Sequence, residues 1–328
     1  MLTFNDVRHI HLELSSRCNA RCPRCPRNYY GYPYNNGYEE VDLSLKDFQK
    51  LVTSELLQNI KIIYVNGNHG DFIMNHHSVN IISYILKCNP QIKINASTNG
   101  SARNKKFWQD LGALGITVDF CIDGLVDTHG IYRQDTDYQT ILNNAAHFIQ
   151  AGGQAVWMYT EFPHNKHQVA EAKILAKELG FSQFRRRLNT RADGPIYNRS
   201  GTKIAAIGTQ NPMGLPDQVD VDKIKLYNLK YNKGNNAKIV CQARQEKSIY
   251  ISATGTVTPC CWIDLSKPTR PRTGPLYQDK ELETLLGDIT RIDLSRTWFQ
   301  DLQQSWAEER TQPAVCQQVC GVKNDLVN

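Results

Sequence analysis

The sequence predicts a mixed α/β protein, in which a partial (β/α)6, TIM-like barrel is followed by a small cysteine-rich α+β domain. Short apolar runs alternate with amphipathic stretches of helical length from residue 9 to about residue 190, which indicates repeated βα units. Polar motifs follow several of the apolar runs, and a second group of cysteines lies near the C-terminus. A chain of 328 residues is long enough for one large domain and a smaller one.

Six strands are expected from runs of apolar and β-branched residues. They are His9–Leu14, Ile60–Val65, Ile92–Ser97, Thr117–Cys121, Ala155–Thr160 and Phe184–Leu188. The helices expected between and after them are Ser44–Leu57, Val79–Lys87, Asn104–Leu114, Tyr138–Ala151 and Lys166–Leu179. Ser44 and Asp47 have the spacing of a capping box at the first of these helices. In barrels of this kind the functional site lies at the C-terminal ends of the strands.

The domain boundaries follow from composition. Residues 1–190 contain the βα pattern, residues 191–235 are rich in turn-forming residues, and residues 236–328 contain the second cysteine group. We therefore expect a barrel domain, a linker and a small C-terminal domain in that order.

Composition and charge limit the class of protein. The chain is 41% hydrophobic and 21% charged, as in ordinary globular proteins, and it has no apolar run long enough to cross a membrane. Its start lacks the pattern of a secretion signal, so we expect a cytoplasmic protein whose ten cysteines bind metal rather than form disulfides. A net charge of +6 is compatible with an anionic substrate but gives little indication of nucleic-acid binding.

The first cysteine group is the most informative motif. Cys18, Cys22 and Cys25 form a C-x3-C-x2-C pattern directly after the first expected strand. One short loop can thus place three thiolates around one inorganic centre. Three is one fewer than a closed zinc site or a fully ligated cubane uses, so a [4Fe–4S] cluster here would keep one iron open. The alternatives are a zinc site with a distant fourth ligand, or three unrelated thiols.

The strand, the turn and the three cysteines resemble the radical S-adenosylmethionine (SAM) superfamily. In that family the cysteine loop follows the first strand of a partial β/α barrel, and the open iron chelates the amino and carboxylate groups of SAM. The resemblance implies two cofactors, a [4Fe–4S] cluster and SAM. It also implies an enzyme that cleaves SAM reductively to a 5′-deoxyadenosyl radical, which abstracts hydrogen from a substrate.

Two further strand ends are similar to those of the same family. Gly70-Asp71 follows the second strand and stands where the family has Gly-Glu, although Phe72 replaces the usual proline. Thr98-Asn99 follows the third strand, like the Thr-Asn-Gly ends of the family. The resemblance implies that these residues contact SAM, while a plain turn with a solvated Asp71 is the alternative.

The fourth strand ends in an Asp-Gly signature at Asp123. In relatives with this signature, a hydroxyl two residues before the Asp contacts the ribose of SAM, and an arginine ten residues after it pairs with the carboxylate of SAM. The resemblance assigns these positions to Cys121, which is not a serine, and to Arg133, for which a surface arginine is the alternative. Arg24 stands where the family has an aromatic residue near the adenine, and its guanidinium could stack there.

The second cysteine group has the composition of a closed metal site. A hairpin is expected over residues 248–260, which would bring Cys241 and Cys260 close, and Cys316 and Cys320 follow with three residues between them. Four thiolates suit zinc or iron–sulfur. The pattern resembles the SPASM/Twitch extension of radical SAM enzymes, which implies an auxiliary [4Fe–4S] cluster, with Cys261 as the substitute for Cys260.

Other residues are candidates for the substrate pocket or the core. Glu161, His164, Asn165 and His167 follow the fifth strand, and Cys88 is expected to be a core thiol. Residues 185–187 are three arginines on the last strand, and alternation would place at least one guanidinium inside the barrel. This arrangement suits an anionic substrate, and a basic outer surface is the alternative.

The expected function is that of a radical SAM enzyme acting on a peptide or a small polar molecule. The auxiliary cluster would aid substrate oxidation or anchor the substrate, and a flavodoxin or ferredoxin would donate electrons. The alternative is a non-catalytic zinc-binding adaptor protein, which would not need the barrel or its polar strand ends.

Overall fold

The computed structural model describes residues 6–33, 39–189, 194–208, 217–219, 238–265, 305 and 314–322. Its strands are β1 (His9–Leu12), β2 (Asn28–Tyr29), β3 (Tyr32–Pro33), β4 (Ile62–Val65), β5 (Lys93–Thr98), β6 (Thr117–Cys121), β7 (Gln154–Glu161), β8 (Gln183–Leu188), β9 (Pro195–Tyr197), β10 (Lys203–Ala206), β11 (Lys238–Ile239), β12 (Ser248–Ile251), β13 (Val257–Thr258) and β14 (Gly321–Val322). Each of the six barrel strands expected from the sequence is present, with ends that differ by at most two residues.

The helices alternate with the strands of the barrel and continue in the C-terminal part. They are α1 (Leu45–Leu51), α2 (Ser54–Asn59), α3 (Ser78–Cys88), α4 (Lys105–Gly112), α5 (His129–Tyr132), α6 (Tyr138–Gln150), α7 (Val169–Glu178), α8 (Gln242–Glu246), α9 (Cys261–Leu265) and α10 (Ala314–Cys320). No helix in these described ranges is both long and apolar enough to cross a lipid bilayer.

The main sheet has the topology of a partial barrel. Strands β1, β4, β5, β6, β7 and β8 are parallel neighbours in chain order. On the outer face Phe120 of β6 contacts Trp108 of α4 and Phe148 of α6, and all three side chains are buried. Residues on the opposite face of the sheet, such as Asp119 and Cys121, face the interior of the barrel. The predicted fold class is confirmed.

One expected helix is in fact two. The sequence predicted a single helix over Ser44–Leu57, but α1 ends at Leu51 and α2 begins at Ser54. Val52 is extended, and the hydroxyl of Thr53 accepts a hydrogen bond from the amide of Leu56 at 3.2 Å, so that Thr53 caps α2. Two successive β-branched residues disfavour the helix, and the second also offers an N-cap oxygen.

The hairpin expected in the cysteine-rich part is confirmed, and it joins the main sheet. Strands β12 and β13 are antiparallel, with Gly255 at φ +80° in the turn between them. Strand β12 pairs in parallel with β1 and so extends the barrel sheet at its first edge. The barrel sheet therefore contains strands from both ends of the chain. The division into domains at residues 190 and 235 stays a prediction.

The segment expected to be a linker, residues 191–235, lies largely outside the described residues. Its described part contains the antiparallel pair β9–β10. The amide of Tyr197 donates to the carbonyl of Tyr30 at 2.8 Å, and the Tyr197 ring stacks on Tyr29. Asp135 forms ion pairs with Arg21 and Arg199, each at 2.9 Å. These contacts hold the β9–β10 hairpin against the chain that leaves the first cysteine loop.

We predict that Thr53→Ala lowers the free energy of unfolding by about 1 kcal/mol, because the first turn of α2 loses its capping oxygen. Thr53→Asn, which keeps an N-cap oxygen, should retain the stability of the wild-type protein. Denaturant unfolding followed by circular dichroism measures both variants. Equal stability of the alanine and asparagine variants would contradict a capping role.

Candidate functional site

A cleft lies at the C-terminal ends of the barrel strands, where the sequence predicts the site. Its cavity volume is about 380 Å³, which is in the range of small-molecule sites. All of the barrel residues proposed from the sequence as metal or cofactor ligands line this one cleft: Cys18, Cys22, Cys25, Gly70, Asp71, Thr98, Asn99, Cys121 and Arg133. The structure therefore brings together residues that are up to 115 positions apart in the chain.

The three thiols of the first cysteine loop lie close enough to influence one another. Burial raises the pKa of the Cys18 thiol above its ordinary range, and the nearby Asp71 carboxylate and the Cys22 and Cys25 thiols raise it further. Cysteines bind metal as thiolates, and three thiolates close together repel one another unless a positively charged centre lies between them. Within the described residues, no three His, Cys, Asp or Glu side chains converge as a ready site for a single metal ion.

Asp71 connects the second and third strand ends. Its carboxylate accepts hydrogen bonds from the Thr98 hydroxyl at 2.9 Å, from the Asn99 amide at 2.7 Å and from the Asn99 side chain at 2.8 Å. The Asn99 side chain also lies 2.9 Å from the Asn19 side-chain oxygen and 3.6 Å from the Cys18 sulfur. Asp71 is thus a buried acceptor that fixes two motifs beside the cysteine loop, and burial raises its pKa.

Gly70 is a glycine because the backbone of the cysteine loop lies against it. A Cβ atom at this position would lie 1.8 Å from the carbonyl oxygen of Ser15 and 2.7 Å from that of Arg17. In the same contact the amide of Asp71 donates to the carbonyl of Arg17 at 2.8 Å. The close approach places the start of the cysteine loop directly over the second strand end.

Glu13 is a site-forming residue that the sequence analysis did not identify. It is buried, and its carboxylate accepts from the amide of His69 at 2.8 Å and from the amide of Ala253, in the turn between β12 and β13, at 3.3 Å. A carboxylate thereby joins the first strand, the Gly70 loop and the C-terminal hairpin. The sequence signal that could have identified Glu13 is an acidic residue within the apolar run that precedes the cysteines.

Arg133 lies in the cleft rather than on the surface. Its Nε donates to the buried carboxylate of Asp123 at 2.6 Å, and its Nη1 lies 3.6 Å from the Cys22 sulfur. Burial disfavours the charged guanidinium, but Asp123 and the neighbouring thiols outweigh burial and keep the pKa of Arg133 above its ordinary value. Asp123 is itself fixed, because it accepts from the amide of Thr160 at 2.6 Å. The Asp-Gly signature thus orients the arginine toward the cysteines.

A hydroxyl that the sequence analysis left out lies beside Cys121. The Ser97 oxygen is 3.4 Å from the Cys121 sulfur, and both side chains line the cleft. Burial raises the pKa of the Cys121 thiol, so it is a neutral group in the interior. Ser97 is the last residue of the expected third strand and directly precedes Thr98. Its proximity to Cys121 depends on how β5 and β6 are paired. The Ser97 hydroxyl of the third strand therefore lies beside Cys121, the position of the fourth strand at which relatives have a hydroxyl.

Arg24 packs against an aromatic ring. Its guanidinium lies 5.1 Å from the centre of the Tyr30 ring, and Arg24 lines the cleft between Cys22 and Cys25. The cation–π contact holds the Arg24 guanidinium against a ring, and Arg24 stands where the family has an aromatic side chain.

The candidates after the fifth strand do not line the cleft in the part of the chain that the structure describes. Glu161 pairs with Arg186, and Asn165 is a buried turn residue whose side chain bonds to the backbone of Thr160 and Phe162. His164 stacks on Phe162, a cleft residue, and His167 is exposed.

The other expected core and metal residues occupy two separate places. Cys88 packs against the hydrophobic core from the end of α3. The four cysteines of the second group, Cys241, Cys260, Cys316 and Cys320, line one common cavity together with apolar side chains. Cys260 rather than Cys261 lines this cavity. The start of α8, the end of the hairpin and α10 thus bring four thiols from three chain segments together.

Comparisons with known proteins show which domain and which folds the chain is similar to. Residues 241–321 match the model of SPASM, an iron–sulfur cluster-binding domain. The structure of Streptococcus suis SuiB bound to S-adenosylmethionine has a TM-score of 0.54, with 13% identity over 95% of this chain and 77% of that chain. SuiB bound to precursor peptide SuiA gives 0.53, with 12% identity over 93% of this chain and 65% of that one.

A third structure, native anSMEcpe with bound AdoMet, has a TM-score of 0.50, with 12% identity over 77% of this chain and 74% of that chain. No curated protein sequence matches the chain. The site and the fold define a partial-barrel protein with two clusters of cysteines. The chain shares its fold with SuiB and anSMEcpe, both solved with SAM bound, and its C-terminal part matches an iron–sulfur domain, in agreement with the resemblance found in the sequence.

We predict that Gly70→Ala destabilises the protein by about 3 kcal/mol, because the added methyl group overlaps the Ser15 carbonyl in a packed interior. Gly130→Ala is the matched control. Gly130 is an exposed residue of α5 with open space around the added methyl group, so this variant should be as stable as the wild type or more stable by up to about 1 kcal/mol. Denaturant unfolding of both variants decides, and a Gly70→Ala variant as stable as the control would contradict the close approach.

Proposed function

We propose that this protein is a radical SAM enzyme whose site is the cleft at the barrel strand ends. The observation that carries this proposal is that the three cysteines of the C-x3-C-x2-C loop share one cleft with Gly70, Asp71, Thr98, Asn99, Cys121 and Arg133. A loop that supplies three thiolates leaves one position of a cubane cluster open, and the surrounding polar groups suit a zwitterionic, ribose-bearing cofactor.

The residues present fit a [4Fe–4S] cluster with SAM. Cys18, Cys22 and Cys25 would hold the cluster, and a cubane suits a spread set of thiols because each cysteine binds a different iron. When bound, the cluster and SAM supply a 5′-deoxyadenosyl radical that can remove a hydrogen atom from an unactivated carbon. The protein's part is to hold the cofactor, to orient the substrate and to exclude water from the cleft.

Individual roles follow from the charges and donors in the cleft. Arg133 keeps part of its guanidinium toward the cleft while Asp123 holds its Nε, so a carboxylate of SAM can bind the remaining donors. Gly70 and Asp71 line the wall at which the ammonium group would bind. Ser97 and Cys121 line the wall at which the ribose would bind, with Ser97 as the hydroxyl.

The second cysteine group would hold an auxiliary [4Fe–4S] cluster through Cys241, Cys260, Cys316 and Cys320. Support comes from their common cavity and from the match of residues 241–321 to an iron–sulfur domain. Such a cluster would accept an electron from an oxidised substrate or anchor the substrate. A flavodoxin or a ferredoxin would deliver the electron that starts each cycle.

A peptide is the favoured class of substrate, with a small polar molecule as the other possibility. Support for a peptide is that SuiB, whose fold this chain shares over 93% of its length, has been crystallised with a precursor peptide. The cleft is also open at β8, where Leu188 at its rim is 65% exposed, so that an extended chain can approach it.

The central test is reductive cleavage of SAM. Cys22→Ala leaves two thiolates in the loop, and we expect the anaerobically reconstituted variant to form no 5′-deoxyadenosine with dithionite as reductant. Cys88→Ala, which changes a thiol that packs against the core, is the matched control and should retain the activity. 5′-Deoxyadenosine at the wild-type rate from the Cys22 variant would disprove the proposed mechanism. A colourless, zinc-loaded wild-type protein would favour an adaptor.

The auxiliary cluster is tested by iron content. We expect about eight irons per chain in the reconstituted wild-type protein, since two cubanes contain four each. The double variant Cys241→Ala/Cys320→Ala leaves two thiols in the second group, too few for a cubane, so it should lower the count to about four irons and leave the first cluster in place. A wild-type count of about four that the double variant does not change would remove the auxiliary cluster.

A further inference from the structure

Three successive arginines lie near the end of β8, and they differ in the face of the sheet on which they lie and in their partners. In the register of β7 with β8, Arg185 lies opposite Met158 and Arg187 lies opposite Thr160. Since side chains alternate along a strand, Arg185 and Arg187 share the face that points into the barrel. Arg186 lies on the other face, and the expectation of at least one guanidinium inside the barrel is confirmed.

Two of the three arginines have an acidic partner in direct contact. Arg185, whose side chain is partly exposed, forms an ion pair with the buried Asp119 at 3.4 Å. Arg186 pairs with Glu161 on the outer face. Arg187 makes no hydrogen bond and no ion pair with the residues that the structure describes, although its side chain lines the cleft. It is therefore a cation at the rim of the site without a directly bonded partner among those residues.

The acidic groups of the described barrel interior already have partners. Burial raises the pKa of Asp119, and Arg185 and Arg187 oppose that rise, but the ion pair of Asp119 is with Arg185. Asp123 holds Arg133, and the Asp71 carboxylate accepts from Thr98 and Asn99. A cation at the rim of a cleft that pairs with none of the described residues favours an anionic group on the ligand.

We propose that Arg187 binds a carboxylate of the substrate and so selects for substrates that carry one. A planar guanidinium can bind a carboxylate with two parallel hydrogen bonds, which fixes orientation as well as charge. The carboxylate could belong to an acidic side chain of a peptide or to a small carboxylic acid. The exposed Leu188 beside Arg187 gives an extended peptide an apolar contact at the same rim. This inference rests on the proposed function, since it names the substrate class of that site.

The test uses the reconstituted, SAM-loaded protein and a synthetic mixture of random decapeptides. Retained peptides are identified by mass spectrometry under anaerobic conditions. We expect peptides with Asp or Glu to be enriched about tenfold over their Asn or Gln counterparts, the effect of one charge-assisted contact. Arg187→Gln should abolish this enrichment. Arg186→Gln, which removes an equal charge from the outer face, is the matched control and should keep it.

A charge-reversal variant distinguishes the loss of a specific contact from misfolding. Arg187→Glu should select peptides rich in Lys or Arg, a positive result that a misfolded protein would not give. A second arm uses free glutarate, and its displacement of the retained peptides in the wild type but not in Arg187→Gln would show that the guanidinium recognises the carboxylate itself. Retention of glutarate with no selection among peptides would assign the same guanidinium to a small acid.

Two outcomes would overturn the inference: a wild-type protein with no preference for acidic ligands, or a preference that persists in Arg187→Gln. Cleavage of SAM by the wild-type protein is measured in parallel. Cleavage without acid selection disproves only the role of Arg187, whereas acid selection without cleavage disproves only the proposed enzyme.

Discussion

The site depends on the burial of two carboxylates that bond mostly to backbone amides. Glu13 accepts from the Gly70 loop and from the β12–β13 turn, and Asp71 accepts from the third strand end. A buried carboxylate is costly unless its hydrogen bonds are satisfied, so each carboxylate can occupy its place only when the loops around it are correctly arranged. The two residues thus couple the geometry of the cysteine loop to the pairing of the strands.

The same principle arranges the positive charges. Asp123 holds Arg133 beside Cys22, and Asp135 holds Arg21 and Arg199 where the β9–β10 hairpin covers the chain after the cysteine loop. An acidic residue fixed from one element orients a guanidinium from another, which is how side chains distant in sequence reach one cleft. The arrangement places the Arg133 guanidinium 3.6 Å from the Cys22 sulfur.

The C-terminal cysteine domain is attached to the barrel through the sheet as well as through the chain. Strand β12 pairs with β1, and the Asn68 side chain donates to the carbonyl of Cys261 at 2.9 Å. The second strand end therefore contacts α9, the helix next to the second group of cysteines. The second group of cysteines is thus anchored to the barrel by a strand pairing and a side-chain hydrogen bond.

Local patterns of period, spacing and residue type predict the barrel strands, the three-cysteine loop and the polar strand ends. They do not predict the break at Val52-Thr53, where a capping hydroxyl outweighed a continuous apolar face. The folded chain shows that Glu13 and Ser97 belong to the site, that Cys260 rather than Cys261 lines the second cavity, and that Arg187 faces the cleft. Those outcomes depend on strand register and on contacts between distant segments, which local sequence patterns do not reveal.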